Sequence, residues 1–154
     1  MKLALAMIVK GTDEEAEVLK GALGSVASSV DGIFITLTQE NKKVREVADL
    51  FDATVSFYEW DYHFGKARAF NFIQVPKEYD YIMWMDADDM IRNPEKIKPT
   101  LEANPDVDLW QMDYLYDFDE RKMPIIVHIR TQIIKNNGCV SWVGALHEGF
   151  KENR

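Results

Sequence analysis

Residues 2–9, "KLALAMIV", are apolar without a break after the lysine, and this stretch constrains the fold more than any other. A strand with one wet face alternates apolar and polar residues. A run with no alternation suits a strand covered on both faces, the habit of parallel sheets. The same character returns in "GIFITLT" (32–38) and "YDYIMWM" (79–85), with a shorter strand in "ATVSFY" (53–58). Helical spacing fills the gaps. "TDEE" offers a capping box, Thr12 with Glu15, ahead of a stripe of Ala16, Leu19, Leu23 and Val26. Asn41 is placed to cap a second helix with its stripe on Val44, Val47, Ala48 and Phe51, and residues 64–75 read as a third. The resulting β-α-β-α-β-α-β alternation predicts a parallel sheet with right-handed crossovers. Such sheets bind ligands beyond the carboxyl ends of their strands.

The second part of the chain changes style. A helix near 94–103, started by Pro94 and interrupted by Pro99, precedes two long strand-like segments, "VDLWQMDYLYDFD" and "PIIVHIRTQIIK". The turn "DERKMP" joins them into an antiparallel hairpin. In the second segment Ile125, Val127, Ile129, Thr131 and Ile133 alternate with a polar set including His128, Arg130 and Gln132. Asn136-Asn137-Gly138 marks a further turn. With no repeat or linker, the 154 residues read as one domain: a nucleotide-type half (1–92) and an added β half (93–154).

Charge and cysteine content narrow the function classes. Eighteen basic against 26 acidic residues give a net charge of −8, which argues against an extended nucleic-acid surface. A few local cations or a bound metal still suffice for a small anion. The one cysteine, Cys139, leaves no internal disulfide and no cysteine-cluster zinc site, and fits a reduced, cytoplasmic setting. The apolar start meets Lys10 and an acidic stretch with no small-residue cleavage site, so it reads as a strand rather than a signal peptide. No segment approaches membrane-spanning length.

Asp86, Asp88 and Asp89 follow the fourth strand directly. In extended geometry Asp86 and Asp88 project to the same side, converging as hard oxygen ligands suited to Mg²⁺ or Mn²⁺. The competing reading is a solvated acidic turn; the position at a parallel-strand end favours a ligand. Asp89 points the other way and is expected to cap the following turn. "EWDYHFGKARAFN" (59–71) opens after the third strand and begins a helix carrying Lys66 and Arg68, a combination able to hold phosphate. The plainer alternative is two surface cations above a core stripe of Phe64, Ala67 and Phe70. In "WVGALHE" (142–148), His147 suits a further metal ligand and Glu148 a general base. His63 and His128 carry weaker signals, with His128 expected in solvent, and Cys139 reads as a small packing residue. Trp110, Tyr114 and Tyr116 alternate along one strand face with Asp113 and Asp117 on the other. Packing is the default for these aromatics, a sugar-stacking platform the alternative.

Taken in order, "LALAMIVKGTDEEAEVLKGALGSV", "FGKARAFN", "YIMWMDADDMI" and "WVGALHE" resemble the family 2 glycosyltransferases of GT-A fold, in particular their bacterial and phage members. The resemblance covers nearly the whole chain, and the D-x-D after an apolar strand with the upstream F-x-x-A-R is its most specific part. It implies an α/β architecture, a GT-A (Rossmann-like) nucleotide-binding parallel sheet with an added antiparallel hairpin. It also implies a nucleotide-diphosphate sugar, a UDP-sugar by preference, bound at Val9, Lys10, Thr38, Glu40, Lys66, Arg68, Asp86 and Ala87. Mn²⁺ or Mg²⁺ would sit on Asp86, Asp88 and His147, and Glu148 would serve as base in an inverting single displacement. The acceptor, whether glycan, lipid-linked sugar, protein or small molecule, is left open.

Two departures stand out. The Asp and Gly-Ser common after the second strand are replaced by "TLTQENKK", so base reading falls to Glu40 or Gln39; and "VKNEE" becomes "VKGTDEE". The chain also stops soon after "HE", where family members continue, which reads as a minimal enzyme or a catalytic fragment. The alternative function is a nucleotide-sugar-binding module without independent catalysis. A nucleotidyltransferase ranks last, because only Gly11 stands where that class has a glycine-rich loop.

Overall fold

Four parallel strands form the first part of the sheet in a computed structural model that describes residues 1–153. They are β1 (Leu3–Val9), β2 (Gly32–Leu37), β3 (Thr54–Phe57) and β4 (Tyr81–Trp84), lying in the order β3-β2-β1-β4. Two long strands complete the sheet. β6 (Pro124–Lys135) runs antiparallel beside β4, and β5 (Leu109–Phe118) lies antiparallel at the edge. A separate ribbon pairs β7 (Val140–Val143) with β8 (Gly149–Glu152). The helices are α1 (Asp13–Gly24), α2 (Lys42–Leu50), α3 (Phe64–Ile73) and α4 (Ile97–Ala103). The mostly parallel α/β sheet with its added hairpin is therefore present, though several elements are shorter at one or both ends than the sequence suggests. Among the described residues no helix is long and apolar enough to cross a membrane.

β1 explains the unbroken apolar run. Leu3 through Met7 are all 0% exposed, because helices cover both faces. Leu3, Leu5, Met7 and Val9 join α1 and α2 residues such as Leu19, Leu23, Val44 and Ala48 in the main core. Ala4 and Ala6 face the other way into a smaller cluster with Phe34, Val75, Ile82 and Phe72. Large side chains on one face and alanines on the other let α3 lie close to the strand, consistent with the density of folded interiors.

Caps fix the helix starts. Thr12 Oγ1 accepts from Glu15 N at 3.2 Å, and Asn41 Oδ1 accepts from Val44 N at 3.0 Å. Asn41 Nδ2 also donates to Asp13 Oδ1 at 2.9 Å, tying the starts of α1 and α2 together. The reciprocal half of the capping box is absent, since Thr12 N donates to Lys10 O and Glu15 turns elsewhere. Gly11 is required where these two loops meet: a Cβ there would strike the Gln39 carbonyl.

Two expectations are corrected, and the alternation in β6 has a setting of its own. Pro99 does not interrupt its helix. A 3₁₀ turn (Pro94–Lys96) leads into α4, and Pro99 sits in the first turn of α4, where a missing N–H breaks no intrahelical bond. β4 ends at Trp84, so Met85 to Asp89 leave the sheet as a turn rather than an extended tail. In β6 the apolar alternation does not mark a buried face along its length. β6 pairs with β4 only from Ile133 to Lys135, and the earlier part pairs with β5 alone. Ile133 is buried, but Ile125 and Ile129 are 61% and 66% exposed because, among the described residues, nothing is stacked on that end of the ribbon.

Candidate functional site

A cleft of about 830 Å³ opens across the carboxyl ends of β1, β2 and β4, the side on which parallel sheets bind ligands. Val9 and Lys10 form its floor beside Thr38, whose N–H donates to Val9 O at 3.0 Å. Arg68 comes from α3, and Asp86, Ala87 and Asp88 from the turn after β4. Gln39, Trp60, Phe64 and Glu15 complete the parts of the wall used below.

The start of α3 explains how Arg68 is aimed. Phe64 N donates to Ala145 O at 3.0 Å and Gly65 N to Gly144 O at 3.1 Å. Lys66 N donates to His63 Nδ1 at 3.1 Å, so His63 is the helix cap. These N–H groups are thus occupied by the protein itself, and a phosphate has no free helix end here. A Cβ on Gly65 would strike Gly144 O, so "FGKAR" and "WVGALHE" are locked together by backbone contact. That contact brings the loop carrying His147 and Glu148 against α3. Gly144, at φ +93, and His147, at φ +52, make its turns.

Arg68 is 4% exposed and bridges two carboxylates. Its Nε donates to Glu148 Oε1 at 2.6 Å and its Nη2 to Asp86 Oδ1 at 2.6 Å, while its guanidinium lies 4.3 Å from the Trp84 ring centre. A second arginine completes the arrangement. Arg130 Nη2 donates to Asp86 Oδ2 at 3.3 Å, and its guanidinium stacks over Trp84 at 4.9 Å and Tyr114 at 4.4 Å. Burial alone would raise the Asp86 carboxyl; the two guanidiniums outweigh it and hold Asp86 below the usual carboxylate range. Asp89 does not cap the following turn. Its Oδ2 accepts from Asp86 N at 3.0 Å, closing the turn back on itself, and burial pushes its carboxyl up. Burial and Asp89 together push the Tyr114 hydroxyl up to about 12.

Asp88 differs from both neighbours: it is exposed on the cleft wall and has no hydrogen-bond or ion-pair partner among the described residues. The carboxylates of the turn thus divide into a held one, a structural one and a free one.

The remaining candidates lie apart from the cleft. Glu148 reaches it only through Arg68 and lines a second cavity of about 480 Å³ with Trp84, Trp142, Phe150 and His147. His147 is exposed and lines that cavity, not the cleft that holds Asp88. Glu40 is gripped through both oxygens by Arg45, at 2.6 and 2.8 Å, and Gln39 takes its place in the cleft wall. Lys66 is exposed and pairs with Asp61 at 3.1 Å. His128 is exposed beside Tyr116, and Cys139 is half-buried, with burial pushing its thiol up. Tyr116 falls at a slip in the β5–β6 register, which breaks the regular face shared with Trp110 and Tyr114.

Among the described residues no three His, Cys, Asp or Glu side chains are grouped to hold a metal ion alone. The donor set instead suits a hard cation shared with a ligand: Mg²⁺ and Mn²⁺ are commonly bound by one or two carboxylates with phosphate oxygens and water. Asp88 supplies a free carboxylate for that role. Asp86, already bound by two arginines, supplies less.

Arg130 and Glu15 went unrecognised as site residues. The signal for Arg130 was its place on the polar face of β6 with Gln132, which is buried with Nε2 3.5 Å from Trp84 O. Glu15 was masked by its match to a capping box.

This sheet with a ligand-sized cleft at its strand ends is a GT-A-like fold of the kind found in nucleotide-dependent transferases. No protein-family model matches the chain, and no curated protein sequence matches it. Among solved structures, TarS from S. aureus in complex with UDP is similar with a TM-score of 0.53 at 18% identity, covering 66% of this chain and 31% of that one. Another TarS structure gives a TM-score of 0.57 at 14% identity, covering 88% of this chain and 47% of that one. The 4-diphosphocytidyl-2C-methyl-D-erythritol synthase of Anaerococcus prevotii gives 0.63 at 9% identity, covering 88% of this chain and 70% of that one. The chain thus spans between about a third and a half of these two TarS chains, and likeness at such identities shows the fold alone.

Proposed function

We propose that the chain is the catalytic part of a metal-dependent glycosyltransferase that takes a sugar from a nucleotide-diphosphate sugar, by preference a UDP-sugar, with inversion. The observation that carries this reading is the pairing of an arginine-held Asp86 with a free Asp88 on one wall of a strand-end cleft. A carboxylate left unpaired beside two ordered ones is suited to a ligand that brings its own positive charge. The UDP bound by TarS, which shares the fold, supports the choice of nucleotide.

In this reading the nucleotide lies along Val9, Lys10 and Thr38, with Asp86 accepting from ribose and Asp88 facing the diphosphate. A divalent cation held by Asp88 would neutralise charge that develops on the departing diphosphate. The bond from the anomeric carbon to the diphosphate oxygen breaks as the acceptor oxygen bonds to the opposite face. An acceptor entering from the second cavity, which Glu148 lines, gives its proton to Glu148, and nucleoside diphosphate leaves with the electron pair. Arg68 orients Glu148 and ties it to Asp86, so donor and base sides are mechanically linked.

The second reading, a binding module without turnover, is favoured by one observation: Glu148 lines the second cavity rather than the strand-end cleft and is bound to Arg68 through Oε1. Nucleotidyl transfer stays last. Gly11 is filled against the Gln39 backbone and leaves no glycine-rich phosphate loop. The test is donor hydrolysis and transfer with UDP-sugars, with and without Mn²⁺, for the wild type and for Asp88→Asn. Metal-dependent turnover lost in Asp88→Asn supports the transferase. Metal-dependent UDP binding with no turnover from any donor supports the module. Full activity in Asp88→Asn refutes the assignment of that residue.

A further inference from the structure

Glu15 occupies a position where its sequence context explains nothing about its side chain. It stands third in α1, where a glutamate ordinarily reaches back to the cap residue. Here the Thr12 N–H is already donated to Lys10 O, which frees the Glu15 carboxylate from that duty. The side chain lines the strand-end cleft instead, and its Oε2 is buried with no hydrogen-bond partner among the described residues. A desolvated carboxylate oxygen left unpaired is costly, and such atoms in folded proteins are usually satisfied by something. Burial pushes the carboxyl up to about 6, with the backbone and charge of Lys10 opposing and the charges of Asp88 and Asp86 adding to the rise.

The surroundings select the chemistry of the missing partner. Asp86 is matched by two guanidiniums and Asp88 faces the cation and diphosphate, while Glu15 does not stand with them in a group able to hold a metal ion among the described residues. What Glu15 still needs is a hydrogen-bond donor from the rest of the ligand, beyond the diphosphate and its cation. Val18 lies one turn along α1 on the same face, lines the same cleft, and is 48% exposed. A carboxylate beside an exposed apolar side chain matches a nucleoside, whose hydroxyls and ring face offer both kinds of contact.

We infer that Glu15 is a nucleoside-recognition residue, whose Oε2 accepts a hydrogen bond from a ribose hydroxyl or from the N–H of the base. The inference rests on the nucleotide-binding reading and deepens it, since it assigns the nucleoside, not the diphosphate, to the α1 side of the cleft. It also gives the altered second-strand loop a substitute: with Glu40 bound to Arg45, a carboxylate from α1 reads the donor in its place.

The test is calorimetric titration, with Mn²⁺ present, of UDP, 2′-deoxy-UDP and N3-methyl-UDP into wild type, Glu15→Gln and Glu15→Ala. Circular dichroism and thermal melts confirm that each variant is folded, and Glu15→Gln keeps the shape should Glu15→Ala not fold. Loss of one hydrogen bond to a charged group is expected to weaken UDP about 10- to 100-fold in Glu15→Ala, with a smaller loss in Glu15→Gln, which retains an acceptor. The analogue lacking the recognised group should bind wild type as weakly as UDP binds the variant, and should lose nothing further on substitution. A penalty abolished by 2′-deoxy-UDP identifies the ribose; one abolished by N3-methyl-UDP identifies the base. Equal UDP affinity in wild type and both variants overturns the inference alone. So does a loss that appears equally when Mn²⁺ is titrated without nucleotide, because Glu15 would then be a metal ligand. Absence of any nucleotide binding by the folded wild type overturns the nucleotide reading and this inference with it.

Discussion

β1 and the outer part of β6 are both rich in branched apolar residues, yet they end in opposite environments. Leu3 to Met7 are sealed between helices on both faces, whereas Ile125, Val127 and Ile129 stand largely in solvent. The difference lies in what neighbours each strand. β1 has β2 on one side, β4 on the other and helices above and below. β6 meets β4 over three residues and then runs on beside β5 alone. An apolar period defines a face, but only a neighbouring layer buries it. The site borders both: its cleft opens at the ends of β1, β2 and β4, and Arg130 of β6 reaches Asp86 in the turn after β4.

The comparison can be broken most forcefully in the covered region. Leu5→Ala is expected to cost about 2–5 kcal/mol in urea unfolding, as for other fully buried large-to-small changes. Next is the junction. Arg68→Met leaves Asp86 and Glu148 without their shared cation and is expected to cost about 3 kcal/mol. It should also reduce the acid sensitivity of folding. The Asp86 carboxyl lies below its ordinary 3.8 in the fold, so its contribution is present above that pH and lost as pH falls through the folded value. Without Arg68 the depression shrinks, and that part of the acid transition should shrink with it.

Smaller effects sharpen the same contrast. The Glu15 carboxyl moves the other way, from 4.5 to about 6, so the fold favours its neutral form. Its ionisation opposes folding as pH rises from 4.5 to 6, and the cost remains above that range. Glu15→Gln should therefore stabilise the free protein at pH 7.5 by under about 1 kcal/mol, once solvent screening is allowed for, and by nothing at pH 4. At the foot of the scale, Ile129→Ser on the uncovered ribbon should change unfolding stability by less than about 0.5 kcal/mol. A loss comparable to Leu5→Ala would mean that this end of the ribbon is covered after all.

The parallel half was legible in the sequence because its signals are local. Unbroken apolar runs, the Thr12 and Asn41 caps and helical stripes such as Val44 and Ala48 need no knowledge of distant partners. The association of Arg68 with Asp86 was legible only through the order of familiar motifs. Arg130 was not, because its contact with Asp86 depends on the lateral register of β6 against β4. Glu15 was hidden for another reason: its local pattern fitted a capping box, and the hydrogen bond from Thr12 N to Lys10 O that dissolves the box cannot be read from residue types. The exposed end of β6 had the same cause as Arg130, since covering layers are a tertiary fact.

The central claim is that Asp88 is kept free for a cation shared with a nucleotide diphosphate. The most direct measurement is the melting temperature of wild type and Asp88→Asn with UDP, with Mn²⁺, and with both. A ligand that binds only the folded state raises its stability in proportion to its affinity. UDP with Mn²⁺ together should raise the wild-type melting temperature more than the two separate shifts combined, and Asp88→Asn should lose this synergy while melting within about 2 °C of wild type when ligand-free. Synergy that survives intact in Asp88→Asn would contradict the claim, as would a wild type that responds to neither ligand.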